Sequence, residues 1–373
     1  MTSYFEDTND GSKSNNPPQQ IPQPLDCMTE NPPMLAAIRG CLIGTAVGDA
    51  LGLPAEGLSQ QRAASWWKGD WRMRLLPGRG MVSDDTEHTY AVAEALSVAH
   101  GDVERFRRIL AGKLRWWFLA LPAGVGMATA RACIKLWLGF SPANSGVFSA
   151  GNGPAMRSAL IGVFFRDDPV RRREFVVASA RITHTDPLAE TVALAVAKAA
   201  ACGANGGDRD AFVSSLAGMG DSDKWRCAVS RIAVHLESGS STREFACAMG
   251  LERGVSGYAL HTVPVALYAW LRYHDDFAQA LTSALDCGGD TDTVGAIVGA
   301  LAGASLGCDS IPDEWRNQVR DWPLSASRLD SAAIALCESE TVPAIFWPFR
   351  CLRNVVFLFI ILAHGFRRLL PPY

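Results

Sequence analysis

No two cysteines in this sequence lie close enough to form a metal knuckle or a redox pair. Ten Cys occur in 373 residues, and the nearest in sequence, Cys27 with Cys41 and Cys337 with Cys351, are fourteen apart. The absence of any CxxC excludes a zinc ribbon or a thioredoxin-type motif. Scattered single thiols in an apolar chain suit small core residues in a reducing compartment, so a cytoplasmic protein is expected. An excess of one charge is also missing: 35 Lys and Arg face 38 Asp and Glu, for a net charge of −3. Without a basic stripe interleaved with aromatics, nucleic acid is not expected as the main partner. No alternating run of β-branched residues appears, which leaves strands without a signal. The opening MTSYFEDTNDGSKSNN lacks the basic-then-apolar pattern of a secretory leader.

What the chain does have is helical periodicity. Its composition, 48% hydrophobic and 20% charged, is that of a globular protein. Segments such as TEHTYAVAEALSVAH, VERFRRILAGKLRWWFLAL, LAETVALAVAKAAACG and TVPVALYAWLRYHDDFAQALTSALD read at period 3.6 and are rich in good helix formers. The expected fold is all-α, a single compact helical domain over residues 34–338. Residues 1–33, rich in Pro, Asn and Gln, are expected to be a disordered tail. Residues 339–373 form an apolar, basic extension in which Val355–Ala363 is an uninterrupted run of nine apolar residues. A spanning helix needs about 20. The extension therefore reads as a helix docked on the domain or a second subunit, as an interfacial helix that would make the protein peripheral to a membrane through residues 345–370, or, as the least favoured reading because Arg350 and Arg353 interrupt any longer apolar run, as a true span.

Two stretches carry a glycine at every fourth position. GCLIGTAVGDALGLPAEG places Gly40, Gly44, Gly48 and Gly52 in register, and GGDTDTVGAIVGALAGASLG does the same with Gly295, Gly299, Gly303 and Gly307. A helix-interior Gly costs about 1 kcal/mol relative to Ala, and very close approach of another backbone is the usual compensation. Acids mark one end of each stretch: Asp49 and Glu56 at the end of the first, Asp290 and Asp292 at the start of the second. The expectation is that the two helices pack tightly and bring these acids to one site.

A third acidic cluster, Ser83-Asp84-Asp85-Thr86, precedes another helical segment. Hard divalent cations take several oxygen ligands. Asp290, Asp292 and Thr293 sit where a helix begins, where carboxylates are favoured. Five converging carboxylates would repel one another strongly, and two divalent ions would nearly neutralise them, which argues for a two-metal site. Each motif alone is more often a helix cap; their combination carries the inference.

On these motifs, together with SAGNGPAMR, THTDPLAE and SGYALHTVPVALYAW in the same order, the chain resembles the ADP-ribosylglycohydrolases over about Ile38 to Gly307. The resemblance implies two Mg²⁺ or Mn²⁺ ions, with Ser83, Asp84 and Asp85 in one ligand cluster and Asp290, Asp292 and Thr293 in the other. It places Glu56 at the mouth of the site against metal or substrate. Ser149, Asn152 and Gly153 match the loop that holds diphosphate and ribose, His184 a histidine near the metals, and Tyr258 an aromatic wall. Glu56, Asp85 and Asp292 become the catalytic candidates, with Glu56 or Asp85 as general base. The partner implied is an ADP-ribosylated protein or a small ADP-ribosyl compound. Ser83 stands where the family commonly has Thr, which keeps a hydroxyl. Ala150 stands where some relatives have an aromatic, which removes stacking from that loop.

Two other readings remain open at this level. A protein of the same fold could bind ADP-ribose or a partner without hydrolysing it. DTDTV also mimics the nucleophile motif of haloacid-dehalogenase-type phosphatases, which requires a buried strand just before it. The roles of His88, His261 and the Trp66-Trp67-Trp71 group, in or out of a ligand pocket, are not fixed by the sequence.

Overall fold

The computed structural model describes residues 1–2 and 32–369, so the tail assigned to residues 1–33 lies almost wholly outside the described residues. Among the described residues there are eighteen α-helices and three short 3-10 turns, and no strand beyond isolated bridges. This is the all-α fold expected from the periodicity. It removes the phosphatase reading: the residues before Asp290 are the Phe277–Leu285 helix and a glycine turn, not a strand.

The two glycine stretches are the Pro32–Gly52 and Thr291–Leu306 helices, and they pack against each other in antiparallel register. A Cβ added to Gly40 would lie 1.9 Å from the Gly303 carbonyl oxygen, one on Gly44 2.1 Å from that of Gly299, and one on Gly48 1.9 Å from that of Gly295. The backbones are in contact, and no side chain fits between them. Thr291 occupies the fourth place, opposite Gly52, and donates its hydroxyl to the Gly52 carbonyl at 2.7 Å. Gly307 departs from the expected stripe. It is the residue just past the helix end, with φ of +80°, and a Cβ there would meet nothing within 4 Å. Its glycine serves the left-handed turn that ends the helix.

The Pro187–Ala204 and Ala259–Arg272 helices pack around this pair. Val47, Val196, Leu267, Ile297 and Val298 are fully buried there. Among the described residues three helices are long and apolar enough to cross a membrane, by length and composition alone: Pro33–Ala55, Pro187–Ala204 and Trp347–Arg367. The first is 78% buried inside the fold, so its apolarity serves the core. The third is only 22% buried. It docks on the domain along one face, through Arg350, Arg353, Asn354 and Phe357, and leaves Leu352, Val355, Val356, Phe359 and Leu362 exposed on the other.

Candidate active site

Antiparallel packing of the glycine helices puts the end of the first beside the start of the second. The Asp84–Ala99 helix begins at the same place, with Ser83 as its N-cap. Asp49, in the last turn of the first glycine helix, accepts from the Ser83 amide at 2.9 Å and from the Thr86 amide and hydroxyl at 3.1 and 2.5 Å. It thus caps the third element from across the core, satisfying amides that a helix start leaves open. Burial raises the Asp49 carboxyl to about 6 even though these hydrogen bonds pull it down.

Beyond this cap the acids gather. One carboxylate oxygen from each of Glu56, Asp290 and Asp292 falls within 4.8 Å of the others. Asp85 Oδ2 accepts from the Ser83 hydroxyl at 3.0 Å and the Thr293 hydroxyl at 3.2 Å, which ties the SDDT and DTDT clusters together. Asp85 Oδ1 is buried and has no protein partner. Among the described residues none of Glu56, Asp84, Asp85, Asp290 or Asp292 is in an ion pair.

The electrostatics follow from that crowding. Asp84, Asp85 and Asp292 are held well above the carboxylate range, by burial first and then by the charges of the neighbouring acids. Asp290 is also raised by burial, against hydrogen bonds that lower it. Glu56 is raised by desolvation and by Asp290, while Arg368 pulls it down. A buried polar atom without a partner and a group of buried like charges are each unfavourable unless something compensates. Divalent cations are what this donor set fits: hard carboxylate and hydroxyl oxygens, an orphaned Asp85 oxygen, and, among the described residues, no ion pair to a protein cation.

Two glycines fix the loops around the acids. Gly288 and Gly289 have φ of +65° and +83°, and a Cβ on Gly289 would fall 1.9 Å from the Val255 carbonyl oxygen. This tight passage lets Gly289 exchange backbone hydrogen bonds of 2.7 Å with Gly57 and Leu58, while Asp290 N donates to Val255 O at 2.8 Å. The Glu56 turn, the Asp290 start and the Val255–Gly257 loop are thereby held to one another. Asn152 joins from the opposite wall: its amide nitrogen donates to Asp290 Oδ2 at 2.6 Å and Thr262 Oγ1 at 3.0 Å, and its backbone N–H to Gly257 O at 3.0 Å.

Between these walls lies a cavity of about 480 Å³. Glu56, Asp84, Asp290, Asp292 and Thr293 line one side, and Ser149, Asn152, Gly153 and His184 the other. Ser83 and Asp85 stand one layer behind the lining, and both are buried. Tyr258 is not in the lining. Its ring packs edge-on against His261 at 5.1 Å, and its backbone is paired with Gly151. His184 packs so closely on the GNG loop that a Cβ on Gly151 or Gly153 would come within 2.9 Å of its ring. Burial, aided by Arg157, lowers the His184 pKa to about 3, so the ring is neutral.

Sequence reasoning passed over Arg157. Its guanidinium is fully buried and donates to Gly153 O, to Ser179 Oγ and O, and to Thr183 Oγ1 at 2.7–3.0 Å. Thr183 Oγ1 lies 2.9 Å from His184 Nδ1, so Arg157 is the hub that fixes the GNG loop and the histidine together. A lone Arg after a turn gives no sequence signal of this; only its place in SAGNGPAMR hints at it. His88 is wholly buried against Trp117 and Arg157, and Trp67 and Trp71 are stacked core residues away from the cavity.

Comparison with known proteins places this arrangement. The profile of the ADP-ribosylglycohydrolase family matches residues 30–343. An uncharacterized protein of Archaeoglobus fulgidus is 33% identical over 292 residues, covering 76% of this chain and 91% of its own length. The ADP-ribosyl-[dinitrogen reductase] glycohydrolase of Rhodospirillum rubrum is 29% identical, covering 75% and 89%. Human ADP-ribosylhydrolase ARH3 is 27% identical, covering 77% and 90%. A solved structure titled "ADP-ribosylglycohydrolase-related protein complex" superposes with a TM-score of 0.63 at 26% identity, over 83% of this chain and 99% of that one. The acid-ended glycine helices belong to a hydrolase, and the chain is a member of the ADP-ribosylglycohydrolase family.

Proposed function

We propose that this protein hydrolyses the N- or O-glycosidic bond between ADP-ribose and a protein side chain, or the equivalent bond in a small ADP-ribosyl compound. The observation that carries the reading is the meeting of Glu56, Asp290 and Asp292 within 4.8 Å, facing the Ser149–Gly153 loop across one cavity. Glu56, Asp84, Asp85, Asp290, Asp292 and Thr293, with Ser83 behind them, would hold two Mg²⁺ or Mn²⁺ ions. When bound, such ions supply charge neutralisation, anchoring of ribose hydroxyls and a water acidified toward neutral pH.

The chain's own groups account for the rest. Glycoside cleavage passes through an oxocarbenium-like state, so positive charge grows at the anomeric carbon, and an anionic wall beside it is favourable. Glu56 accepts the proton of the attacking water, because it alone among the raised carboxylates is exposed at the cavity mouth. Asp85, the other candidate base, is 1% exposed, and its Oδ2 is spent on the Ser83 and Thr293 hydroxyls. The water oxygen bonds to the anomeric carbon as the bond to the side-chain nitrogen or oxygen breaks, that leaving atom takes a proton from solvent, and Glu56 returns its proton to solvent. The Ser149–Gly153 loop takes the diphosphate and ribose, with Asn152 fixing Asp290 and neutral His184 closing the wall. Held reacting groups of this kind replace much of the entropy cost of the encounter.

The test is release of free ADP-ribose from arginine-linked and serine-linked ADP-ribosyl peptides, with Mg²⁺, Mn²⁺ or EDTA and beside Asp292→Ala. Metal-dependent release that is lost in the variant supports the reading, and the preferred peptide names the linkage. Metal-independent release, or none from either peptide, would contradict it.

A further inference from the structure

The Trp347–Arg367 helix begins after residue 343, where the family match ends. It nevertheless grips both acid-bearing segments of the cavity. One stripe does this: Arg353, Phe357, Ile361, His364 and Arg368, spaced by three or four residues along one helical face. At its start Arg353 forms a buried ion pair with Asp321 and donates to the Val82 carbonyl, while Asp321 Oδ2 accepts from the Val82 amide at 3.0 Å. Val82 is the residue before Ser83, so both polar backbone groups leading into the SDDT cluster are clamped. In the middle, Phe357 is buried against Leu53, Leu75 and Met81, with Ile361 packed on the same cluster. At its end, His364 Nε2 donates to the Pro54 carbonyl and Arg368 Nη1 to the Glu56 carbonyl, both at 3.0 Å.

The Glu56 turn needs such a hold. It leaves the glycine helix through a short 3-10 turn, projects to solvent, and passes into Gly57 at φ of +75°. Its inner tie is the Gly57 to Gly289 hydrogen bond. Its outer carbonyls, Pro54 and Glu56, are met by the helix alone among the described residues. A carboxylate that must take a proton from a positioned water loses rate steeply when it moves by an ångström.

We propose that this carboxy-terminal helix is a positioning element of the active site, with His364 and Arg368 as positioning residues that hold the Glu56 turn in its working geometry. The inference rests on the proposed role of Glu56, but its physical part, the bracing of the turn, is testable without it.

The experiment compares wild type with His364→Ala/Arg368→Ala, with Arg368→Lys, and with the outer-face control Phe359→Ser. Hydrogen–deuterium exchange reads the amides of Glu56, Gly57 and Leu58, each hydrogen-bonded in the structure. The double variant is expected to speed exchange in that segment at least severalfold, while the glycine helices keep their protection. In the peptide assay its kcat is expected to fall about tenfold with KM nearly unchanged, the mark of a misplaced catalytic group. Arg368→Lys, which keeps a donor, should recover most of both readouts, and Phe359→Ser should alter neither. Unchanged exchange in residues 54–58 would overturn the proposal, as would faster exchange with wild-type kcat. A wild type that releases no ADP-ribose would sink the functional reading, while the exchange comparison would still decide the brace.

Discussion

Gly48 and Gly295 touch backbone to backbone: a Cβ on the first would stand 1.9 Å from the carbonyl oxygen of the second, and a Cβ on the second 2.5 Å from that of the first. Neither obstacle is a flexible side-chain end. Gly48→Ala and Gly299→Ala must therefore push the two helices apart, and each is expected to cost about 3 kcal/mol or more. Gly112→Ala is the control, since Gly112 lies half-buried in the interior of the amphipathic Val103–Leu119 helix with nothing within 4 Å of the added carbon. It should stabilise by about 1 kcal/mol. Chemical denaturation of the three variants measures this, and equal effects would refute the close-packed pair.

This relationship was legible in the sequence, because the four-residue glycine period has few other physical explanations. So was the convergence of Asp290, Asp292 and Glu56, which follows once the two helices are antiparallel. Other parts of the site were not legible. Gly307 continues the period but is a helix cap, since the period cannot tell a contact from a terminus. Asp49 looks like one more site acid, yet its oxygens are consumed by Ser83 and Thr86. The reach of Arg368 to Glu56 spans more than 300 positions and leaves no local pattern.

Asn152 is the polar link between the GNG loop and the acids. Asn152→Ala removes the 2.6 Å hydrogen bond that orients Asp290. A loss of about 10- to 100-fold in activity is expected, as for other groups that orient metal-binding carboxylates. Asn152→Asp should lose more, because it sets another carboxylate against Asp290. Steady-state kinetics on one ADP-ribosyl peptide orders the two variants, and the reverse order would contradict this role.

Arg157 is a buried cation that donates to backbone and hydroxyl oxygens and lies 3.5 Å from His88 Nδ1, with no carboxylate among its hydrogen-bond partners in the described residues. Arg157→Ala leaves the Gly153 carbonyl and the Ser179 and Thr183 oxygens short of a donor, so a destabilisation of about 3 kcal/mol is expected. Arg157→Lys cannot reproduce the fork and should recover only part of it. Thermal melts alongside peptide kinetics would show whether both stability and turnover fall, as a hub of the GNG loop and His184 requires.

The raised acids make a pH prediction with a definite sign. A carboxyl whose folded pKa lies above its unfolded value stabilises the fold while protonated and loses that contribution as pH rises through the folded pKa. Asp49, raised to about 6, acts mainly below neutrality. Asp84, Asp85 and Asp292, raised well above the carboxylate range by burial and by one another's charge, act with the same sign. The lowered histidines, His88 and His184, act in the opposite direction but are spent above about pH 6.5, their unfolded value. As pH rises through the folded pKa values of these acids, protein stripped with EDTA should lose thermal stability, and added Mn²⁺ should restore more of it the higher the pH. A flat profile with no response to Mn²⁺ would mean that the acids are not a cation site.

The most direct measurement is a crystal structure of the protein with Mn²⁺ and ADP-ribose, with the metal located by anomalous scattering. Anomalous peaks are expected among Glu56, Asp84, Asp85, Asp290 and Asp292, with the ribose against them and the diphosphate along Ser149–Gly153. An acid cluster without anomalous density, or ADP-ribose bound elsewhere, would contradict it.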